Sequence, residues 1–177
     1  KQKMYKSVLA ELSKRFERKL VPINRIEIKA KAILSNYDSF VKVCEGKEIW
    51  PVLKSNAYGH GIREITEILK SRDFKYLVVD SYMEALEVWK IDPKREILLI
   101  GPLLTQNYKL VDWKKVTIMV QDMDQIRELA KLPNRVRIHI KVNCGMNRQG
   151  FEIDELNELI NKIRKFKYLE IEGLMSH

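Results

Sequence analysis

The stretch YLVVDSYMEALEVWKIDPKREILLI, residues 76–100, decides the fold class. It opens on the apolar run Tyr76–Val79, short and β-branched enough for a strand buried on both faces. Ser81 stands three residues before Glu84, the spacing of a capping box, and Ala85, Leu86 and Trp89 follow at helical period. A second apolar run, Ile97–Ile100, completes the unit. A strand, a helix and a strand in this order predict a parallel pair.

The same unit recurs in both directions. Further runs compatible with buried strands are Ile49–Leu53, Val116–Val120, Val136–Val142 and Leu169–Met175. Between them, Ile62, Ile65, Ile68 and Leu69 share a helix face. Asp122 with Gln125 opens a helix carrying Ile126 and Leu129. Asp154 opens one carrying Leu156, Leu159, Ile160 and Ile163, and Asn107–Val111 is the weakest helical segment. Six strand runs alternating with helices suit a barrel or a doubly wound sheet. Ahead of them, residues 4–20 read as an amphipathic helix, with Val8, Leu12, Phe16 and Leu20 four apart, and Pro22 ends it. The chain divides into an N-terminal extension, 1–24, and a β/α domain, 25–177.

Composition narrows the function classes. The chain has 177 residues, 45% apolar and 32% charged, enough for one sizeable core. Its longest aliphatic run, Ile97–Ile100, is far short of the ~18 residues of a membrane span. No apolar stretch follows the basic N-terminus, so no secretory signal is expected. Cys44 and Cys144 make neither a disulfide framework nor a metal-ligand spacing, and a reducing cytoplasm fits them. The net charge of +9 comes from 33 Lys+Arg against 24 Asp+Glu. These charges are scattered, with no basic–aromatic pattern for nucleic acid. They leave open either a Lys-rich surface or an anionic ligand.

Polar chemistry gathers after the strand runs: Lys54 after the first, Gly101 after the third, Asn143 to Arg148 after the fifth, Ser176 and His177 after the sixth. In a (β/α) barrel those positions line the active-site mouth. Within Pro51-Val-Leu-Lys-Ser-Asn-Ala-Tyr-Gly-His-Gly61, a lysine at a strand end is partly desolvated. Desolvation lowers its pKa, and a neutral lysine attacks aldehydes to form Schiff bases. Tyr58 and the Gly59/Gly61 turn offer a hydroxyl and close-approach backbone for a phosphate. From chemistry alone, Lys54 stays open between this role and a solvated strand-end lysine.

The run Lys54-Ser-Asn-Ala-Tyr58-Gly-His60-Gly resembles the pyridoxal-phosphate attachment motif of alanine racemases. Lys141-Val-Asn-Cys-Gly145-Met146-Asn-Arg148-Gln-Gly150-Phe151 and Gly173-Leu-Met-Ser-His177 match two later motifs of that family, in order. Arg25-Ile-Glu-Ile-Lys with Asn36 looks like its first strand and helix. The resemblance implies a TIM-type (β/α) barrel, incomplete here at about six of eight units, and pyridoxal 5'-phosphate as cofactor. It implies interconversion of L- and D-alanine, feeding D-alanine to peptidoglycan precursors, by a cytoplasmic homodimer with no membrane or nucleic-acid partner. By the same resemblance, Lys54 is catalytic and holds the cofactor as a Schiff base. Tyr58 binds its phosphate, and Arg148 faces its phenolic oxygen and the substrate carboxylate. Lys141 matches a lysine carbamylated in many members, His177 lies beside the ring, and no metal is implied.

Asn143, Cys144 and Asn147 depart from the pattern, which usually has Asp, Thr and a small residue. The family's last strands and its C-terminal β domain, source of a second acid/base tyrosine, have no counterpart in the sequence. The chain therefore reads as the N-terminal portion of a racemase. Still open are an inactive cofactor-binding fragment of a split or truncated racemase, a racemase for serine or lysine, and a decarboxylase of the same fold type. Cys144 as a nucleophile lacks a histidine partner. His60 reads as a structural turn residue and His139 as a strand residue without a role.

Overall fold

The structure, a computed structural model, describes residues 23–177. The amphipathic segment 4–20 lies outside the described residues, as does most of the 1–24 extension. The described chain is a five-stranded sheet with every pairing parallel and strands in sequential order. Its strands are β1 (Tyr76–Val79), β2 (Glu96–Leu99), β3 (Val116–Val120), β4 (Val136–Lys141) and β5 (Leu169–Met175). The helices are α1 (Ala30–Val43), α2 (Ile62–Leu69), α3 (Tyr82–Trp89), α4 (Met123–Leu129) and α5 (Leu156–Ile163). A 3₁₀ helix, Thr105–Leu110, replaces the helix expected at Asn107–Val111.

Strict alternation along the strands divides the sheet into two chemistries. Leu77, Val79, Ile97, Leu99, Ile118, Val120, Ile138 and Ile140 are fully buried against the helices through Ile65, Leu69, Val88, Ile126, Leu129 and Ile163. Removing one such side chain, as in Ile118→Ala, costs about 2–5 kcal/mol. The opposite face carries Tyr76, Val78 and Leu98, then Thr117, Met119, His139 and Lys141, and it bounds an open cavity. Sequential parallel order, helices on one face and a hollow on the other make this part of a (β/α) barrel, not closed by the described strands.

Local signals held where they were local. Ser81 Oγ accepts from Glu84 N at 3.2 Å while Glu84 accepts from Ser81 N, closing the capping box. Asp122 caps α4 through Gln125 N at 2.8 Å. Other expectations need correction. Ile49–Leu53 contributes a single bridge, Val52 to Val78, with Leu53 N and Val78 N bonding across it. Pro51 has no N–H to give, and β1 is the only strand beside this segment among the described residues. Residues 25–29 are not a strand, though the helix after them forms. Asp154 lies in a turn, and α5 starts after Glu155 without a side-chain cap.

The pairing of β4 with β5 slips by one residue. Ile138 faces Ile171, but His139 faces Gly173, so Glu172 is an extra residue in β5. A bulge of this kind re-aims a side chain. Here it turns the Glu172 carboxylate into the cavity. There it meets Lys75, the Tyr76 hydroxyl and the Thr117 hydroxyl, the last at 3.1 Å. The His139 ring covers Gly173 so closely that a Cβ there would lie 3.0 Å from it.

Candidate active site

The cavity on the inner face holds about 860 Å³ and has two ends of different chemistry. The floor, at the strand N-termini, is the Glu172 cluster. Burial pushes the Glu172 carboxyl up, but hydrogen bonds from Lys75, Tyr76 and Thr117 outweigh it and hold it at about 2. His139 packs against the rings of Trp50 and Tyr76, and burial keeps it neutral to lower pH than usual. The mouth, at the strand C-termini, collects Lys54, Tyr58, Lys141, Arg148 and His177. Every site residue expected from sequence lines this one cavity.

Lys54 is half-buried and follows Leu53, whose N–H is tied to β1. The chain then enters one helical turn, Lys54–Tyr58, in which Ser55, Asn56, Ala57 and Tyr58 all have φ of +54°. Left-handed backbone costs roughly 1–2 kcal/mol per non-glycine residue, so the turn persists only because its surroundings fix it. Asn56 does much of this. Its N–H reaches Glu84 Oε1 at 3.2 Å, its carbonyl accepts from Gly61 N, and its Oδ1 accepts from Ile62 N at 2.8 Å, at the start of α2. Ala57 is buried under the turn, and His60 Nδ1 bonds the Ala57 carbonyl at 2.9 Å, a structural role as expected. The turn keeps the Tyr58 side chain, 61% exposed, on the rim of the cavity near Lys54.

Lys141 closes β4 with only 4% of its surface exposed. Its ammonium makes no ion pair or hydrogen bond among the described residues. Burial pushes its pKa down, and the nearby Arg148 pushes it further. Arg148 lies on the exposed loop 143–151, with Nη2 3.3 Å from His177 Nδ1. Arg148, followed by burial, Lys141 and Lys54, holds the His177 imidazole below its usual pKa. The mouth is thus cationic and favours an anionic ligand. Cys144 is exposed, and its thiol, 3.8 Å from the Val142 carbonyl, makes no hydrogen bond to a basic side chain among the described residues.

Residues 28–177 match the family model described as "Alanine racemase, N-terminal domain". This chain belongs to that family. It is 33% identical over 135 residues to the alanine racemase of Borreliella burgdorferi strain ZS7, covering 74% of this chain and 36% of that protein. It is 30% identical over 160 residues to alanine racemase 2 of Caldanaerobacter subterraneus subsp. tengcongensis, covering 86% of this chain and 41% of that one. Among solved structures, the alanine racemase from Bartonella henselae with covalently bound pyridoxal phosphate superposes with a TM-score of 0.75 at 25% identity. That match covers 85% of this chain and 45% of the other. The alanine racemase from E. faecalis gives 0.74 at 26% identity, covering 85% and 42%. The chain therefore spans about two-fifths of the length of these family members.

Motif reading missed the Glu172 cluster at the floor, which needed the fold. The alternation of β4 carried part of the signal, since His139 and Lys141 must share a face. The slip that aims Glu172 inward had no local mark.

Proposed function

We propose that this chain is the cofactor-holding part of a pyridoxal-phosphate-dependent alanine racemase, with residues 25–177 as its barrel domain. The observation that carries the reading is the meeting of Lys54, Tyr58, Lys141, Arg148 and His177 at the mouth of one cavity. The names of the relatives support the reaction, and the covalently bound cofactor of the Bartonella henselae structure supports the cofactor.

The residues fit that group. About 860 Å³ lies within the ~300–1,000 Å³ of small-molecule sites. Arg148 and the Tyr58 hydroxyl suit a carboxylate and a phosphate, and the half-buried Lys54 amine, two residues after the Val52–Val78 bridge, suits covalent attachment to an aldehyde. When bound, pyridoxal phosphate supplies the electron sink for negative charge at the substrate Cα. Lys54 Nζ would hold the cofactor covalently, and its amine would move a proton at the substrate Cα. Tyr58 donates its hydroxyl to the phosphate. Arg148, planar and permanently charged, would fork toward the phenolic oxygen and the substrate carboxylate. His177, whose pKa the cations around it lower, would lie beside the ring.

Lys141 orients Arg148 as a carbamate. Burial and Arg148 favour its neutral amine, and that amine adds to CO₂, forming an N–C bond and releasing a proton. The carbamate turns a repelling cation beside Arg148 into an attracting anion. The proton on the other face of Cα falls to a residue beyond these, in a cytoplasmic homodimer that supplies D-alanine for peptidoglycan. Among the described residues, no helix is long and apolar enough to cross a membrane, and both cysteines are free.

The test is D-alanine formation from L-alanine by the protein together with any polypeptide that completes it. Saturating pyridoxal phosphate is supplied, and L-serine and L-lysine run in parallel. Turnover of ~1–10³ s⁻¹ on alanine supports the reading. Faster turnover of serine or lysine reassigns the substrate. Cofactor uptake without turnover favours the second reading, an inactive cofactor-binding portion of a split racemase. That second reading draws on the share of relatives' length the chain covers.

A further inference from the structure

The loop 143–151 is closed at its base. Val142 bridges Phe151, Asn143 N donates to the Phe151 carbonyl at 2.8 Å, and Phe151 N donates to the Lys141 carbonyl at 2.9 Å. Gly150 permits this closure, since a Cβ there would lie 2.8 Å from the Lys141 carbonyl oxygen. Inside that clamp one side chain organises the span. Asn143 Oδ1 accepts from Gly145 N at 3.2 Å and from Asn147 N at 3.0 Å. Asn143 Nδ2 donates to Asn147 Oδ1 at 2.8 Å and to Glu152 Oε1 at 2.7 Å.

A carboxamide has two donors and two acceptor lone pairs, and here all of them are used. The orientation of the amide is unambiguous, because two backbone N–H groups must meet its oxygen. Asn147 takes a left-handed backbone, φ +54°, immediately before Arg148. Such a residue is held only by what surrounds it. An aspartate at 143 could serve the backbone amides, but it has no hydrogen to donate. It would also set a second carboxylate against Glu152. An alanine would serve nothing.

We propose that Asn143 is a positioning residue for Arg148, holding it against His177 and over the cavity through Asn147 and Glu152. The consequence for racemisation rests on the reading of Arg148 given above; the geometric claim does not. The loop is exposed and outside the core, so losing the hub costs little global stability. Its cost falls on the direction of Arg148.

Proton NMR of the imidazoles reads that direction, and the chain has only three histidines. Arg148 is the largest influence pushing His177 down, so an Arg148 that drifts away lets His177 titrate higher. Asn143→Ala removes the hub without changing charge. It is expected to raise the His177 midpoint, with the thermal midpoint little changed. Asn143→Asp combined with Glu152→Gln keeps one carboxylate in the pair and restores a donor across it. It is expected to bring His177 back toward the parent value, where Asn143→Asp alone does not. In the racemase assembly, Asn143→Ala should lower kcat/KM roughly 10- to 10²-fold, with cofactor still attached to Lys54. An unmoved His177 midpoint in Asn143→Ala would overturn the proposal. So would a double variant no closer to the parent than Asn143→Asp. A parent that lacks racemase turnover would count against the functional reading, and the titration would still decide the role of Asn143.

Discussion

Arg148 stands on an exposed loop, so replacing it probes contact, not packing. Arg148→Lys keeps the charge and loses the planar fork. Racemisation by the assembled enzyme should fall on the order of 10²-fold, with a thermal midpoint within a few degrees of the parent. Equal turnover would remove Arg148 from the site. Lys141 differs, being buried beside a cation with a depressed pKa. With ¹³C-bicarbonate at mildly alkaline pH, a carbamate carbonyl signal is expected by NMR, and it should vanish in Lys141→Ala. A signal that survives the substitution, or none at all, would leave Lys141 a plain amine. At this scale the motif residues were legible in sequence because their spacing is local. Asn143 was not. It stood out only as a departure, and Asn147, a second departure, turns out to be its hydrogen-bond partner.

The elements carry a different lesson. The capping box at Ser81–Glu84 and the cap at Asp122 were readable because donor and acceptor lie three residues apart. The slip between β4 and β5 was not, because it depends on Gly173 meeting the His139 ring across two strands. Its product, the inward Glu172, has a consequence in acid. The carboxyl is displaced from its ordinary 4.5 to about 2, a depressed value. Its contribution is therefore present above about 4.5 and lost as pH falls toward 2, and is worth on the order of 3 kcal/mol. Urea unfolding across that window should show the loss in the parent and a flatter profile in Glu172→Gln. Parallel profiles would mean the cluster contributes no linkage. The first strand run was misread for a related reason. An apolar stretch becomes a strand only if it finds partners, and Pro51 beside a lone neighbour leaves it a single bridge.

The whole described molecule is a curved parallel sheet whose hollow runs from a carboxylate floor to a cationic mouth. The order of strand runs foretold the parallel sheet, and the residues after them foretold the mouth. The floor belongs to contacts nearly a hundred residues apart, such as Lys75 with Glu172. At this scale, a polypeptide of residues 1–177 alone should take up cofactor yet show no appreciable turnover. One acid/base group gives one face of Cα, and a missing partner costs typically ~10²–10⁴-fold. The described sheet also has two free edges, beside Val52 and at β5, and leaves the cavity open. D-alanine formation by that polypeptide at ordinary enzyme rates would contradict this. The central claim, that Lys54 holds the cofactor at this mouth, is tested most directly by borohydride reduction of the protein loaded with pyridoxal phosphate, followed by peptide mapping. The account predicts one dominant pyridoxyl label, on Lys54, abolished in Lys54→Ala. A label spread over other lysines, or absent, would contradict it.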